Sequence, residues 1–449
     1  MSNNRTTFAT KLGVIAAAVG SAVGLGNIWR FPYEAGQSGG GAFLLIYLIC
    51  VAVLGIPLIV SEFLVGRTSQ SNVGGTFKKL APNSHWGVIG YLSVLACFLI
   101  LSFYTVIAGW TLEYIYQAVG NGFAGKSTAQ LTEAFTSFST DTYSPLIWLA
   151  LFLLANYVII VGGVKNGIEK ASNIMMPFLF VILVVFCIRS LMLPGAADGL
   201  SFLFKPDFSK INSSVVLSAV GQAFFSLSLG MGCLITYGSY FTKETKLGKT
   251  AVTVAILDTL VAVLAGIMIF PAVFTFGIEP SQGPSLVFIT LPNVFQQMPG
   301  AYIWSILFFI LLATAALTST VSMFEVVTAF LHEEYNMSRK KATGLAVAVA
   351  FVFGVICSLS IGPWKDMTIL GMTVFDLFDY VSANILLPIG GLLVSLFVGY
   401  RLNQKVIYMQ LTNDQTLKVW YFKPLLFVVR YFAPVAIVLI FLSGIGIFG

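Results

Sequence analysis

Charge is what this chain has least of. Asp, Glu, Lys and Arg make up only 9% of its 449 residues, while 57% are hydrophobic; a soluble domain carries roughly 25% charged residues. The scarcity excludes a sizeable water-soluble domain and implies a polytopic membrane protein that works within the bilayer. Histidine is nearly absent too. His85 and His332 both fall in loops read as cytoplasmic, which argues against a histidine proton relay. The five cysteines, Cys50, Cys97, Cys187, Cys233 and Cys357, lie in apolar segments without metal-ligand spacing and read as small core residues. No nucleophile with its base and no HExxH motif points to an enzyme. No repeated filter or pore-lining ring points to a channel, the more distant alternative. The polar start, MSNNRTTFATK, lacks a cleavage site after the first apolar run and is not expected to be a signal peptide.

What is present is a series of apolar runs. Hydropathy predicts eleven spans, near 10–34, 41–66, 87–119, 145–162, 168–193, 214–240, 251–276, 300–331, 343–361, 368–400 and 425–448. Basic residues gather in alternate loops, including Lys78, Lys79, Lys243, Lys246, Arg339, Lys340 and Lys341. That bias accounts for the net charge of +6 without a nucleic-acid partner. It predicts a cytoplasmic N-terminus and, with eleven spans, an extracellular C-terminus.

Two spans are spoiled as simple helices. In the first, Gly20, Gly24 and Gly26 cluster beside Ser21 and Asn27, with Arg30 following at a costly depth. In the sixth, Gly221, Gln222, Ser226, Ser228, Gly230 and Gly232 crowd the centre. Either glycine run could serve tight helix packing. Interruptions five spans apart, however, also mark a transporter built from an inverted repeat, with its site at the midplane. The expected organisation is one transmembrane domain over 1–449: repeat one near 10–193, repeat two near 214–400, and an extra helix near 425–448. The segment 278–299, with three prolines around LVFITL, reads as an outer lid or an ordinary loop. Pro177 in span five reads as a static kink or as a point where the inner end unwinds.

Other polar groups lie at membrane depth. Asp258 in span seven needs a partner, a proton, a cavity or a cation. Thr318, Ser319 and Thr320 cluster in span eight, where hydroxyls also satisfy themselves on the preceding turn. Tyr104 taken alone could be a core aromatic. Together these oxygens suit a hard cation such as sodium, and the N–H groups of a resumed half-helix favour a carboxylate.

The motifs AVGLGNIWRFPY, NGIEKASNIMMP, AFFSLSLGMG and AALTSTVS closely resemble the neurotransmitter:sodium symporter family, specifically its bacterial amino-acid transporters. The resemblance covers spans one to ten. It implies an all-α protein with the five-plus-five inverted repeat of the leucine-transporter fold, discontinuous first and sixth helices, and eleven spans. It also implies a bacterial cytoplasmic membrane, two sodium ions and no organic cofactor.

Carried over by motif, the first sodium site would use the Ala22 carbonyl, Asn27, Ser226 and Asp258 with the substrate carboxylate. The second would use the Gly20, Val23 and Ala315 carbonyls with the Thr318 and Ser319 hydroxyls. The substrate carboxylate would meet N–H groups near Leu25 and Gly26 and the Tyr104 hydroxyl, and its ammonium would meet carbonyls around Ala22, Phe225 and Ser228. Ile100, Phe225, Met231, Thr320 and Met323 would line a pocket for a hydrophobic or aromatic L-amino acid, with Ser226 and Ser319 alongside. Asp258 stands where many relatives have a neutral amide, and Ala262 brings no competing acid, so transport is expected to be chloride-independent. Arg30 with Asp379 would close the outer gate. Arg5 with Glu333, near Ser239 and Tyr240, would close the inner one, with Phe8 where many relatives have tryptophan. Gly167 and Pro177 match the family's unwinding motif and favour a hinge over a static kink. A proton-coupled transporter of the same fold is the alternative.

Overall fold

Apolar runs of bilayer length become helices because each peptide group must find its partner inside the segment. A computed structural model describes residues 6–277 and 286–447. Among them, nine helices are long and apolar enough to cross a membrane, and one bent pair makes a tenth. The bent pair is α1 (Lys11–Ala22) and α2 (Gly26–Gln37), which meet at 56°. There follow α3 (Gly41–Ser69), α4 (His85–Val119), α5 (Ser144–Val161) and α6 (Val164–Leu191). The second interrupted segment is α7 (Ser213–Ser226) and α8 (Cys233–Gly238), each too short alone to qualify as a span. The rest are α9 (Leu247–Phe276), the short α10 (Val287–Gln296), α11 (Ala301–Glu334), α12 (Arg339–Ile361), α13 (Val374–Arg401) and α14 (Phe422–Gly444).

The breaks arise from close approach. A methyl group added to Gly24 would stand 2.6 Å from Ser319 Oγ and 3.2 Å from the Tyr104 hydroxyl. A side chain there would push α1 away from α4 and α11. In the second break Ser228, Gly230 and Gly232 have φ of 53°, 81° and 80°, a left-handed backbone that glycine adopts without steric cost. Gly230 also lies against the Leu387 carbonyl and the Gly391 amide of α13. Glu62 of α3 satisfies one group freed by this turn, accepting from the Gly230 N–H at 2.8 Å.

Around these breaks α4 and α11 pack along much of their lengths, and α1 is held by α6, α8, α9 and α11. The outward faces of α5, α6 and α14 leave Leu154, Val158, Ile174, Val181 and Val435 exposed, the apolar surface that lipid would cover. The LVFITL run is helical from residue 286 and packs inward. Phe288 meets Phe135 with rings stacked at 5.6 Å and Tyr114 edge-on at 4.9 Å. The reading of an ordinary loop gives way to a cover over one end of α4 and α11; residues 278–285 lie outside the described residues.

Several predicted boundaries shift: spans seven and nine start four residues early, at Leu247 and Arg339. Span ten begins at Val374 rather than near 368, because Thr373 caps it by accepting from the Asp376 N–H at 3.1 Å, while Ile369 and Met372 close a tight turn. Span five starts earlier, at Val164, with a wide turn after Gly163 at φ 79°. Gly230→Ala is expected to lower stability by about 1–3 kcal/mol, through left-handed strain and the clash with α13. Thermal unfolding in detergent reads this as a lower midpoint than Gly221→Ala, whose added methyl meets nothing.

Candidate functional site

The two breaks face each other and gather the polar residues singled out above. Asn27, at the start of α2, donates through Nδ2 to Asp258 Oδ1 at 2.8 Å and to Ser226 Oγ at 3.0 Å. Ser226 in turn donates to Asp258 Oδ2 at 2.8 Å. Asn27 and Asp258 are fully buried, and no basic side chain pairs with Asp258 among the described residues. A carboxylate ringed by neutral dipoles and without a countercharge is costly to bury, and a cation is one group that would offset that cost. Tyr47 adds a buried phenol beside Asp258 and Ser226 without a well-formed hydrogen bond.

A second group of oxygens lies between α1 and α11. Ser319 Oγ donates to the Val23 carbonyl at 2.9 Å and approaches the Ala315 carbonyl at 3.3 Å, and Thr318 Oγ1 donates to Ala315 at 3.0 Å. Gly20 lies against Thr318, 3.3 Å from its Cβ were a methyl present. All five residues expected at the second sodium site therefore converge.

Between the two clusters is a cavity of about 40 Å³, room for about three waters. Its lining includes Ala22, Gly26, Ile100, Tyr104, Phe225, Ser226, Ser228, Met231, Ser319 and Met323, together with Ser21, Gly24 and Asn27, and no acid or base. Leu25 contributes only backbone, its N–H donating to the Tyr104 hydroxyl at 3.2 Å. Ser228 ties the breaks together by donating to the Ser21 carbonyl at 2.9 Å.

Thr320 is a correction. It does not line the cavity but donates to Asn156 Oδ1 of α5 at 2.8 Å. The reason is helical: Ser319 and Met323, four apart, share one face, and Thr320 is turned away by about 100°. Ser21, which also bonds Ser322 at 3.0 Å, and Gly24 line the cavity although no site role is expected of them from the sequence. Their place on either side of Ala22 and Val23 in the break is the available signal.

The gates also differ from expectation. Arg30 pairs with Glu34 at 3.7 Å, one turn along α2, and its guanidinium lies 4.7 Å above the Phe225 ring. Asp379 is within electrostatic reach of Arg30 but forms no ion pair with it. The local partner competes successfully because it needs no closure between α2 and α13. At the opposite end Arg5 lies outside the described residues. Glu333 accepts from the Asn72 N–H at 2.8 Å and from its side-chain amide at 3.1 Å. Ser239 bonds the Thr236 carbonyl, and Tyr240 donates to Glu325 at 2.6 Å. Buried Glu325 is held from two sides by Arg339, whose Nε also donates to the Ile160 carbonyl at 2.9 Å. Glu325 and Arg339 are thus further members of this cluster, beyond the residues expected from the sequence. Phe8 fills the tryptophan position by packing edge-on against Tyr237 and Tyr240 at 5.8 and 6.1 Å. Beside this closure a cavity of about 850 Å³ reaches Asn72, Gly163, Lys165, Glu333 and Arg339. Gly167 lies in the first wide turn of α6, and Pro177 is within the helix.

Two helices broken opposite each other around a small buried cavity without acid or base are the architecture of a secondary transporter. The model of the sodium:neurotransmitter symporter family matches residues 5–136 and 123–448, and the chain belongs to that family. It is 40% identical over 440 residues to an uncharacterised sodium-dependent transporter, YhdH, of Bacillus subtilis, covering 98% of each chain. Another uncharacterised sodium-dependent transporter, from Haemophilus influenzae, is 38% identical over 455 residues, again with 98% of each covered. A solved structure, MhsT in complex with L-phenylalanine, superposes with a TM-score of 0.90 at 45% identity, covering 98% of this chain and 100% of that one. The fold is the leucine-transporter fold, and the protein is an integral membrane, sodium-dependent transporter.

Thr320→Val is expected to cost about 1–3 kcal/mol by leaving the Asn156 amide unsatisfied, with substrate affinity unchanged. Ser319→Ala should instead weaken sodium-dependent binding. Thermal midpoints and ligand titrations on both variants separate the two roles.

Proposed function

We propose that this protein imports a hydrophobic or aromatic L-amino acid together with two sodium ions, by alternating access across the bacterial cytoplasmic membrane, with its N-terminus cytoplasmic and its C-terminus extracellular. The observation that carries the reading is the uncharged cavity between two oxygen clusters. One sodium would sit among the Ala22 carbonyl, Asn27, Ser226 and Asp258, with the Asn27 amide turned so that its oxygen faces the ion. The other would be held by Gly20, Val23, Ala315, Thr318 and Ser319. The substrate carboxylate would complete the first site and take over the Leu25 N–H and Tyr104 hydroxyl from each other. This arrangement gives coupling a physical basis, since each charge lowers the cost of burying the other.

The selectivity follows from the walls. Ile100, Phe225, Met231 and Met323 offer apolar surface, and methionine adapts to differently shaped side chains. The cavity must widen to admit such a solute, and the left-handed Ser228–Gly232 turn is the deformable wall. The relative solved with L-phenylalanine supports the same substrate class. Arg30 and Asp379 would pair when α2 and α13 approach, and Gly167 and Pro177 would allow the inner end of α6 to unwind and release the second sodium. The inverted repeat remains the organisation that best accounts for two broken helices five spans apart. With a carboxylate at Asp258 and neutral Ala262 nearby, no anion is needed to balance the first sodium.

Binding of radiolabelled amino acids by the purified protein, with sodium titrated against potassium, tests the mechanism. Saturable binding of Trp, Tyr, Phe or Leu is expected only with sodium, and sodium-independent binding would sink the proposal. In proteoliposomes, replacing chloride by gluconate should leave uptake unchanged; a collapse would overturn the role given to Asp258. Asp258→Ala should reduce sodium-dependent binding by at least about tenfold, the loss of a charged ligand in a desolvated site.

A further inference from the structure

The first turn of α1 carries a cap completed by another helix. Thr10 is its N-cap residue, and the Thr10 hydroxyl accepts from the Gly13 N–H at 2.9 Å. In a capping box the residue three positions after such a threonine is Glu or Gln, and its side chain turns back to the cap N–H. Here that position is glycine, and the carboxylate comes from α6. Glu169 Oε1 accepts from the Thr10 N–H at 3.0 Å and the Thr10 hydroxyl at 2.7 Å, and Oε2 accepts from the Ala9 N–H at 2.7 Å. A methyl group on Gly13 would collide with the Glu169 carboxyl group, so the glycine vacates the space that the carboxylate fills. Glu169 is 4% exposed and has no ion-pair partner among the described residues. Its charge is balanced by three donors and by the positive end of the α1 dipole.

Position makes this cap more than a local fastening. Glu169 is the last residue of the wide turn Val164–Glu169, after Gly163 and before Pro177. Farther along, α1 supplies Gly20 and Val23 to the oxygen cluster facing α11. We infer that Glu169 is a positioning residue whose trans cap makes the inner ends of α1 and α6 release together, so that sodium at the second site holds both closed. The inference rests on the second sodium site proposed above. Unwinding of the 164–169 turn withdraws the carboxylate and leaves the Ala9 and Thr10 N–H groups without their acceptor, so the first turn of α1 loosens in the same step. Conversely, an ion that fixes α1 against α11 keeps the cap, and with it the turn, in place. By reciprocity, the factor by which bound sodium favours the cap equals that by which a formed cap favours sodium, so losing the cap weakens sodium binding by no more than that factor.

Hydrogen exchange on the full-length protein in lipid nanodiscs tests this. In the unaltered protein, sodium should slow exchange over residues 9–13 and 162–170 together. Glu169→Ala should speed exchange at 9–13 on the order of tenfold and raise the half-saturating sodium concentration for amino-acid binding several-fold. Glu169→Gln, which keeps one acceptor oxygen, should fall between. The deciding variant combines Glu169→Ala with Gly13→Glu, which moves the carboxylate onto α1 itself. It should restore slow exchange at 9–13, while sodium no longer protects 162–170. The inference is overturned if Glu169→Ala changes neither exchange nor sodium dependence, or if the combined variant still shows sodium protection at 162–170. Should the unaltered protein bind its amino acid without sodium, the sodium-site reading fails with the coupling; unchanged sodium-free exchange at 9–13 in Glu169→Ala would show separately that the cap itself is wrong.

Discussion

A peptide group that leaves its helix inside a bilayer must find another partner, and in this protein that requirement shapes everything around the two breaks. The Gly24 N–H goes to Asn27, the Leu25 N–H to Tyr104, the Gly230 N–H to Glu62, and the Ser21 carbonyl to Ser228. The partners come from α2, α3, α4 and the turn after α7, so the cost of opening two helices is shared between the helices around them and the breaks themselves. The carbonyls and amides freed in this way are the groups to which the proposed function assigns sodium and an amino-acid zwitterion. In that reading structure and transport draw on the same atoms. A ligand that competes for them alters the packing of the whole centre.

The polar groups are arranged by depth. At the centre two buried carboxylates, Asp258 and Glu62, meet only neutral donors among the described residues. Nearer the N-terminal face, Glu325 is paired with Arg339 and Tyr240. Losing one member of such a buried pair costs about 3–5 kcal/mol, because the other is stranded. The contrast is between buried charge already balanced by its neighbours at one face and buried charge left unbalanced at the centre. Glycine matters here through space as much as through flexibility: Gly24 admits Ser319 and Tyr104, and Gly13 admits Glu169.

Much of the site was legible in one dimension. Gly20, Asn27, Ser226, Asp258, Thr318 and Ser319 are polar or helix-weakening residues within apolar runs, and that mismatch is visible without coordinates. Caps spelled in sequence mark boundaries that hydropathy misses: Ser338 starts α12 at Arg339, four residues before the predicted 343, and a Ser127/Gln130 capping box opens the helix Thr128–Ser139. Helices such as Val73–Leu80 and Ala196–Phe204 were not separable from loops, since they are too short for hydropathy to distinguish.

The sequence by itself determined the membrane character, the two interrupted spans and the oxygen-rich chemistry of the centre, because each is a property of residue type and local order. Only the tertiary structure decided which neighbours those residues take. Thr320 turns to Asn156 instead of the cavity because helix rotation is fixed by packing. Arg30 takes Glu34 in place of Asp379 because a partner one turn away is always within reach. Glu169 caps a helix that starts more than 150 residues earlier in the chain. The Thr320 and Glu169 contacts depend on distances across the fold and no local pattern encodes them, whereas Arg30–Glu34 is an i,i+4 pair visible in the sequence.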